Sequence, residues 1–164
     1  MRPAATLLLA LAALAACNEA APVRRTPAEA LAALQAALSA QDGRAIAAVL
    51  DSDSISFRRG IVREWRALLA RGEDPQKVLS GAPVPPEAIR AGSEDDAIAA
   101  LLSRNFPLLA DARWYAEAAV AAEEAAGPDT AVIRLRGRDG AERDLWFLRE
   151  SGDWRFDQFR TRQQ

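Results

Sequence analysis

The chain has 164 residues, half of them apolar and 27% charged, with 21 Lys and Arg against 23 Asp and Glu for a net charge of −2. This is the balance of one globular domain, and with arginines scattered among acids it offers no basic face for nucleic acid. There is no histidine and a single cysteine, which excludes Ser-His-Asp and Cys-His nucleophiles, His-ligated zinc, internal disulfides and thiolate metal clusters. Carboxylates, tyrosine, arginine and Lys77 remain as chemistry-bearing groups, and they imply neither a metal nor a cofactor.

The first element in chain order is a leader. Met1-Arg2-Pro3 forms a short positive region, and Ala4 to Ala13 an apolar run of small and leucine residues. The run is too short to span a bilayer, which needs about 20 apolar residues, and it fits a secretory signal. Leu14-Ala15-Ala16-Cys17 follows and resembles the lipobox of bacterial lipoproteins. The resemblance implies a signal peptide over 1–16, a diacylglyceryl thioether on Cys17 and cleavage just before it. Two or more acyl chains anchor stably where one is marginal. The membrane would then be a partner, and Asn18, where an aspartate would favour inner-membrane retention, points to the outer membrane facing the periplasm. The alternative is cleavage after Ala13-Leu14-Ala15, which leaves Cys17 as a free thiol.

Residues 17–25 lack apolar periodicity and read as a lipidated tether, and residues 26–164 as one domain. Thr26-Pro27-Ala28-Glu29 is a helix start with a capping residue, proline at the first position and a box-completing glutamate. Leu31, Leu34 and Leu38 form its apolar stripe, and Asp42 caps a second helix carrying Ile46, Val49 and Leu50. "DSDSIS" at 51–56 reads as a polar break, with a third helix from about Gly60 to Arg71 placing Ile61, Trp65, Leu68 and Leu69 inward. Asp74-Pro75 opens a further turn, and the proline-rich stretch 80–92 reads as a surface loop with a brief helical turn. Ser93 caps another helix with Glu94, Asp95 and Asp96 in its first turn and Ile98, Leu101 and Leu102 buried, ended by Pro107.

From Arg113 the pattern changes to strands. "ARWYAEAAVAA", "TAVIRLRG", "ERDLWFLRE" and "DWRFDQFR" are separated by Gly- and Asp-containing turns. The first of these also suits a helix by its alanines and glutamates. Helices followed by an antiparallel meander make the fold class α+β.

The paired helices around "SAQDGRAIAAVL" and the meander ending "LWFLRESGDWRFDQF" resemble the nuclear transport factor 2-like (cystatin-like) superfamily, and within it small bacterial lipoproteins. The resemblance covers residues 26–51 and 113–160. It implies a cone-shaped domain in which a curved antiparallel sheet wraps a long helix around a pocket, and dimers across the sheet are common there, which leaves room for a homodimer.

Some enzymes of that superfamily, ketosteroid isomerase among them, place an acid and a tyrosine in an apolar pocket. The pocket candidates here are Tyr115, Asp144, Asp157 and Trp146. Each has a plainer reading. Asp144 lies among Arg134, Arg136 and Arg143 and suits a cross-strand ion pair. Asp157 alternates outward from Trp154 and Phe156. Tyr115 reads as a core ring, and the tryptophans as core. Arg58, Arg59, Arg63 and Arg66 read as a solvated helix face, and Glu94-Asp95-Asp96 as a helix cap rather than a cation site. The expected function is a lipid-anchored envelope protein whose domain binds a protein or small-molecule partner without catalysis. The alternatives are a pocket enzyme using carboxylate and tyrosine acid-base chemistry, and a structural or assembly lipoprotein with a filled cone.

Overall fold

Thr26 accepts a hydrogen bond from the Glu29 amide and starts helix α1 (Pro27–Ala40), which buries Leu31, Leu34 and Leu38. The structure, a computed structural model, describes residues 23–161. A left-handed Gln41 ends α1, and the Asp42 carboxylate caps α2 (Gly43–Val49) through the amides of Arg44 and Ala45. Caps of this kind contribute about 1 kcal/mol each. There follow α3 (Ser52–Ala70), α4 (Pro75–Val78), α5 (Pro86–Arg90), α6 (Glu94–Asn105), a 3₁₀ turn (Pro107–Asp111) and α7 (Ala112–Glu117). The chain then forms strands β1 (Ala119–Gly127), β2 (Thr130–Arg136), β3 (Glu142–Glu150) and β4 (Asp153–Phe156), and ends its described part in α8 (Gln158–Thr161).

The four strands make one antiparallel sheet in the order β1-β2-β3-β4. The α+β class, helices first and meander second, is thus what the sequence pattern predicts. Alternate residues Ile133 and Leu135 on β2, Leu145 and Phe147 on β3, and Phe156 on β4 are at most 1% exposed. With Leu34, Leu38, Ile46 and Ile98 they belong to a single core cluster. The Phe156 ring meets Phe147 and Phe106 edge to face, with centroids 5.8 and 6.4 Å apart. Strand β1 is exposed along most of its length, and Glu123 and Glu124 at its centre charge an edge that would otherwise invite another strand.

Four expectations need correction. The "DSDSIS" break is the first turn of α3, because Asp51 sits at its N-cap and Asp53 in its first turn, where acids complement the helix dipole. The inward stripe of α3 is consequently Ser54, Arg58, Val62 and Leu69, while Ile61, Trp65 and Leu68 are half-buried. The segment 112–122, placed among the strands with a helix as its alternative, is divided between the two, helix α7 first and the start of strand β1 after it; Ala118 closes α7 by donating its amide to the Trp114 carbonyl. The proline-rich segment is not only surface, since Val84 and Ile89 are buried in the core cluster.

The basic run on α3 finds partners inside the domain. Arg59 and Arg63 pair with Glu94 at 3.4 and 2.7 Å, and Arg59 with Asp95 at 3.3 Å. Arg66 donates to the carbonyls of Ile89 at 2.7 Å and Ser93 at 2.8 Å. The acids at the start of α6 therefore serve as a cap and as arginine partners, with Ser93 and Asp96 forming a reciprocal capping box.

Candidate functional site

Strand β4 pairs with β3 only from Phe147 to Glu150, so the first half of β3 has no strand neighbour on that side. A cleft of about 350 Å³ opens there, lined by Tyr115, Arg134, Glu142, Arg143, Asp144 and Thr161. Two of the expected pocket residues, Tyr115 and Asp144, meet in it. Arg134 grips Asp144 with two hydrogen bonds, at 2.8 and 3.2 Å, the cross-strand ion pair that the alternation of charges suggested. Arg136 holds Glu142 at 2.8 Å. Arg143 pairs with Asp111 at 2.7 Å, and its guanidinium lies 4.3 Å from the Trp114 ring and 5.1 Å from the Tyr115 ring. The Tyr115 side chain and then Asp111 hold the Arg143 pKa above its ordinary value. Tyr115 itself is buried. Each carboxylate of the cleft is engaged by a guanidinium, so the site presents a closed charge network rather than a poised acid or base.

Asp157 and Trp146 lie elsewhere. Asp157 is buried, contrary to the outward position expected from alternation, because the chain leaves β4 after Phe156 and turns into α8. Its amide donates to the Trp146 carbonyl at 2.8 Å, and its carboxylate accepts from the Arg160 amide at 3.0 Å. Trp146 is half-buried on the opposite face of β3 from Phe147, with Arg160 at 5.6 Å from its ring and its amide donating to the Thr161 hydroxyl at 3.1 Å. Cys17 lies outside the described residues.

Sequence reasoning missed a buried polar cluster between α3 and the end of β4. The Asp51 amide donates to the Phe156 carbonyl at 3.1 Å, tying α3 to the sheet. Asp51, Ser54, Arg58, Asp157 and Gln158 are each under 10% exposed. Arg58, expected on a solvated face, donates to the Ser54 carbonyl at 2.7 Å and to the Gln158 side chain. Asp51 Oδ1 and Ser54 Oγ are buried without a hydrogen-bond partner among the described residues. Burial pushes the Asp51 carboxyl above its ordinary range, and the charges of Asp157 and Glu150 add to the rise. A raised carboxyl pKa contributes stability below the unfolded value of about 3.9, and that contribution is lost as pH rises through the folded value. Asp51→Asn should therefore lose less stability than the wild type on going from acid to neutral pH. Urea unfolding at a series of pH values checks this; parallel stability profiles for the two proteins would contradict it.

A second missed feature is at the described start of the chain. Arg24, expected in the tether, is buried against the first residue of β4. Its side chain donates to Asp153 at 3.0 and 2.6 Å, its amide donates to the same carboxylate at 2.8 Å, and its carbonyl accepts from the Trp154 amide at 2.9 Å. Arg24 holds the Asp153 carboxyl below the usual carboxylate range. Next to this clamp an apolar groove of about 760 Å³ runs between α1 and α2, lined by Val23, Ala32, Ala33, Ala45, Ala48 and Val49 among others. Neither arginine among tether residues nor an alanine pair on a helix carries a sequence signal for such a contact.

No group of three or more acidic or thiol side chains among the described residues is arranged to hold a metal ion, and none of the described helices is long and apolar enough to cross a membrane. Comparison with family models, with curated proteins and with solved structures returns no match to this chain.

Proposed function

We propose that the chain is a lipid-anchored protein of the bacterial cell envelope, held through a diacylglyceryl thioether on Cys17 at the outer membrane facing the periplasm, whose nuclear transport factor 2-like domain binds a partner at its surface without catalysis. One observation carries the non-catalytic part of this reading. The helix-covered face of the sheet, the side on which a cone-shaped relative would keep its pocket, is occupied by Ile133, Leu135, Leu145, Phe147 and Phe156, in one buried cluster with Leu34 and Leu38 of α1. An acid-base site needs a reachable acid near a dry cavity. Here Asp144 and Glu142, which line the cleft with Tyr115, are held by Arg134 and Arg136. A filled interior leaves the outside of the domain as the working surface.

The anchor has its own test. Cells expressing the full chain should incorporate labelled fatty acid into it and retain it in the membrane fraction. Cys17→Ser should lose the label completely and release the domain, since the thioether forms only on a thiol. Persistence of label on Cys17→Ser would overturn the anchored reading.

A further inference from the structure

We propose that the domain faces the bilayer with one defined end, formed by Val23, Arg25 and the first turn of α1, and does not swing freely on a long leash. This rests on the lipidation of Cys17. The physical reason is the Arg24 clamp. Four hydrogen bonds fix Arg24 to Asp153 and Trp154 at the start of β4, so the span between Cys17 and the first anchored residue ends there and not at the helix cap. From Cys17 to Arg24 the chain reaches at most about 25 Å when fully extended. A domain of this length is roughly 35–40 Å across. An inverted orientation would put Arg24 farther from the membrane than the strap can reach.

The near and far ends follow from the topology. Arg24 sits beside Asp153, at the β3–β4 turn, and α1 starts three residues later. The β2–β3 turn lies at the other end of β3, a nine-residue strand and hence about 30 Å away. The near end also has suitable chemistry for an interface. Val23 is 62% exposed and opens the apolar groove along Ala32, Ala33, Ala45 and Ala48. Arg25 is exposed beside it, where a cation meets anionic headgroups favourably. The partner of this surface is the lipid headgroup layer itself.

The test uses the lipidated full chain in vesicles of phosphatidylethanolamine and phosphatidylglycerol containing a spin-labelled phospholipid as quencher. A fluorophore is placed by maleimide at Ala28→Cys, exposed in the first turn of α1, or at Arg138→Cys, in the β2–β3 turn with its side chain 81% exposed. Cys17 carries no free thiol once it is a thioether, so label confined to the new cysteine verifies the anchor in the same sample. The Ala28 probe should be quenched several-fold more than the Arg138 probe. A flexible Gly-Ser insertion of about ten residues after Ala21 lengthens the strap and should erase most of that difference without altering the fold. Equal quenching at the two positions, with label only on the introduced cysteine, would overturn the orientation while leaving the anchor intact. Label appearing on Cys17 would overturn the anchor and the proposal with it.

Discussion

Gly43→Ala is expected to lower the melting temperature of the domain by about 10 °C, a large effect for one methyl group. A Cβ on Gly43 would stand 1.8 Å from the Ala99 carbonyl oxygen, 2.7 Å from its carbon and 2.9 Å from the Ser103 nitrogen. All three are backbone atoms of α6, so no side chain can rotate away to make room. Helix α2 would have to withdraw from α6, and it carries Ile46 and Val49, which are at most 1% exposed. Overpacking of this kind costs typically 1–3 kcal/mol and occasionally more. Gly60→Ala supplies the control. It lies within α3 with nothing near its would-be Cβ, and replacing a mid-helix glycine by alanine stabilises by roughly 0.5–1 kcal/mol. Thermal unfolding of the two variants should move in opposite directions. An unchanged melting temperature for Gly43→Ala would contradict the close approach of α2 and α6.

The second large effect is expected at Asp153. Asp153→Ala should destabilise the domain by about 3–5 kcal/mol, since it leaves a buried guanidinium without its carboxylate. The side chains of Arg24 and Asp153 are only 9% and 13% exposed. Arg24→Ala should cost less than Asp153→Ala, because Arg155 lies 3.1 Å from the Asp153 carboxylate and continues to neutralise it. The pair also has a pH signature. A depressed carboxyl pKa contributes stability above the unfolded value of about 3.9, lost as pH falls through the lower folded value. The gap between wild type and Asp153→Asn should accordingly narrow in acid, the reverse of the behaviour expected at Asp51. Chemical denaturation of the variants across pH measures both. A constant gap would mean that the carboxylate is not what Arg24 holds.

How far the fold could be read from the sequence follows the kind of signal each element carries. Thr26-Pro27-Ala28-Glu29 and Ser93 with its acids mark α1 and α6 because caps act within three residues of the helix they start. The alternation of Ile133 and Leu135 with Arg134 and Arg136, and the charge pattern pairing Arg134 with Asp144, are equally local. What could not be read depends on partners far along the chain. Ser54 and Arg58 face inward only because the end of β4 and Gln158 come to meet them, about a hundred residues later. Asp157 follows the strand alternation on paper, but the backbone turns into α8 before that alternation can place it outside. Arg24 is buried by Asp153, 129 residues away in the chain, and nothing in "NEAAPVRR" announces that contact. The cleft shows both cases at once: the ion pair of Asp144 was legible, whereas the meeting of Tyr115 with Asp144 depends on α7 folding beside the half of β3 that β4 does not pair with.

These long-range contacts also support the proposed surface-acting reading. The groups that could do acid-base chemistry are divided between an arginine-held rim and a buried cluster between α3 and the end of β4, while the helix-covered face of the sheet is filled with hydrocarbon. Xenon tests that filling most directly, because it enters dry apolar cavities and marks them by strong scattering. Crystals of the domain under xenon pressure should show no xenon between the sheet and α1, in the space held by Leu34, Leu38, Ile133, Leu145, Phe147 and Phe156. A well-occupied xenon site among those side chains would reveal an interior pocket and contradict the account of a filled, surface-acting domain.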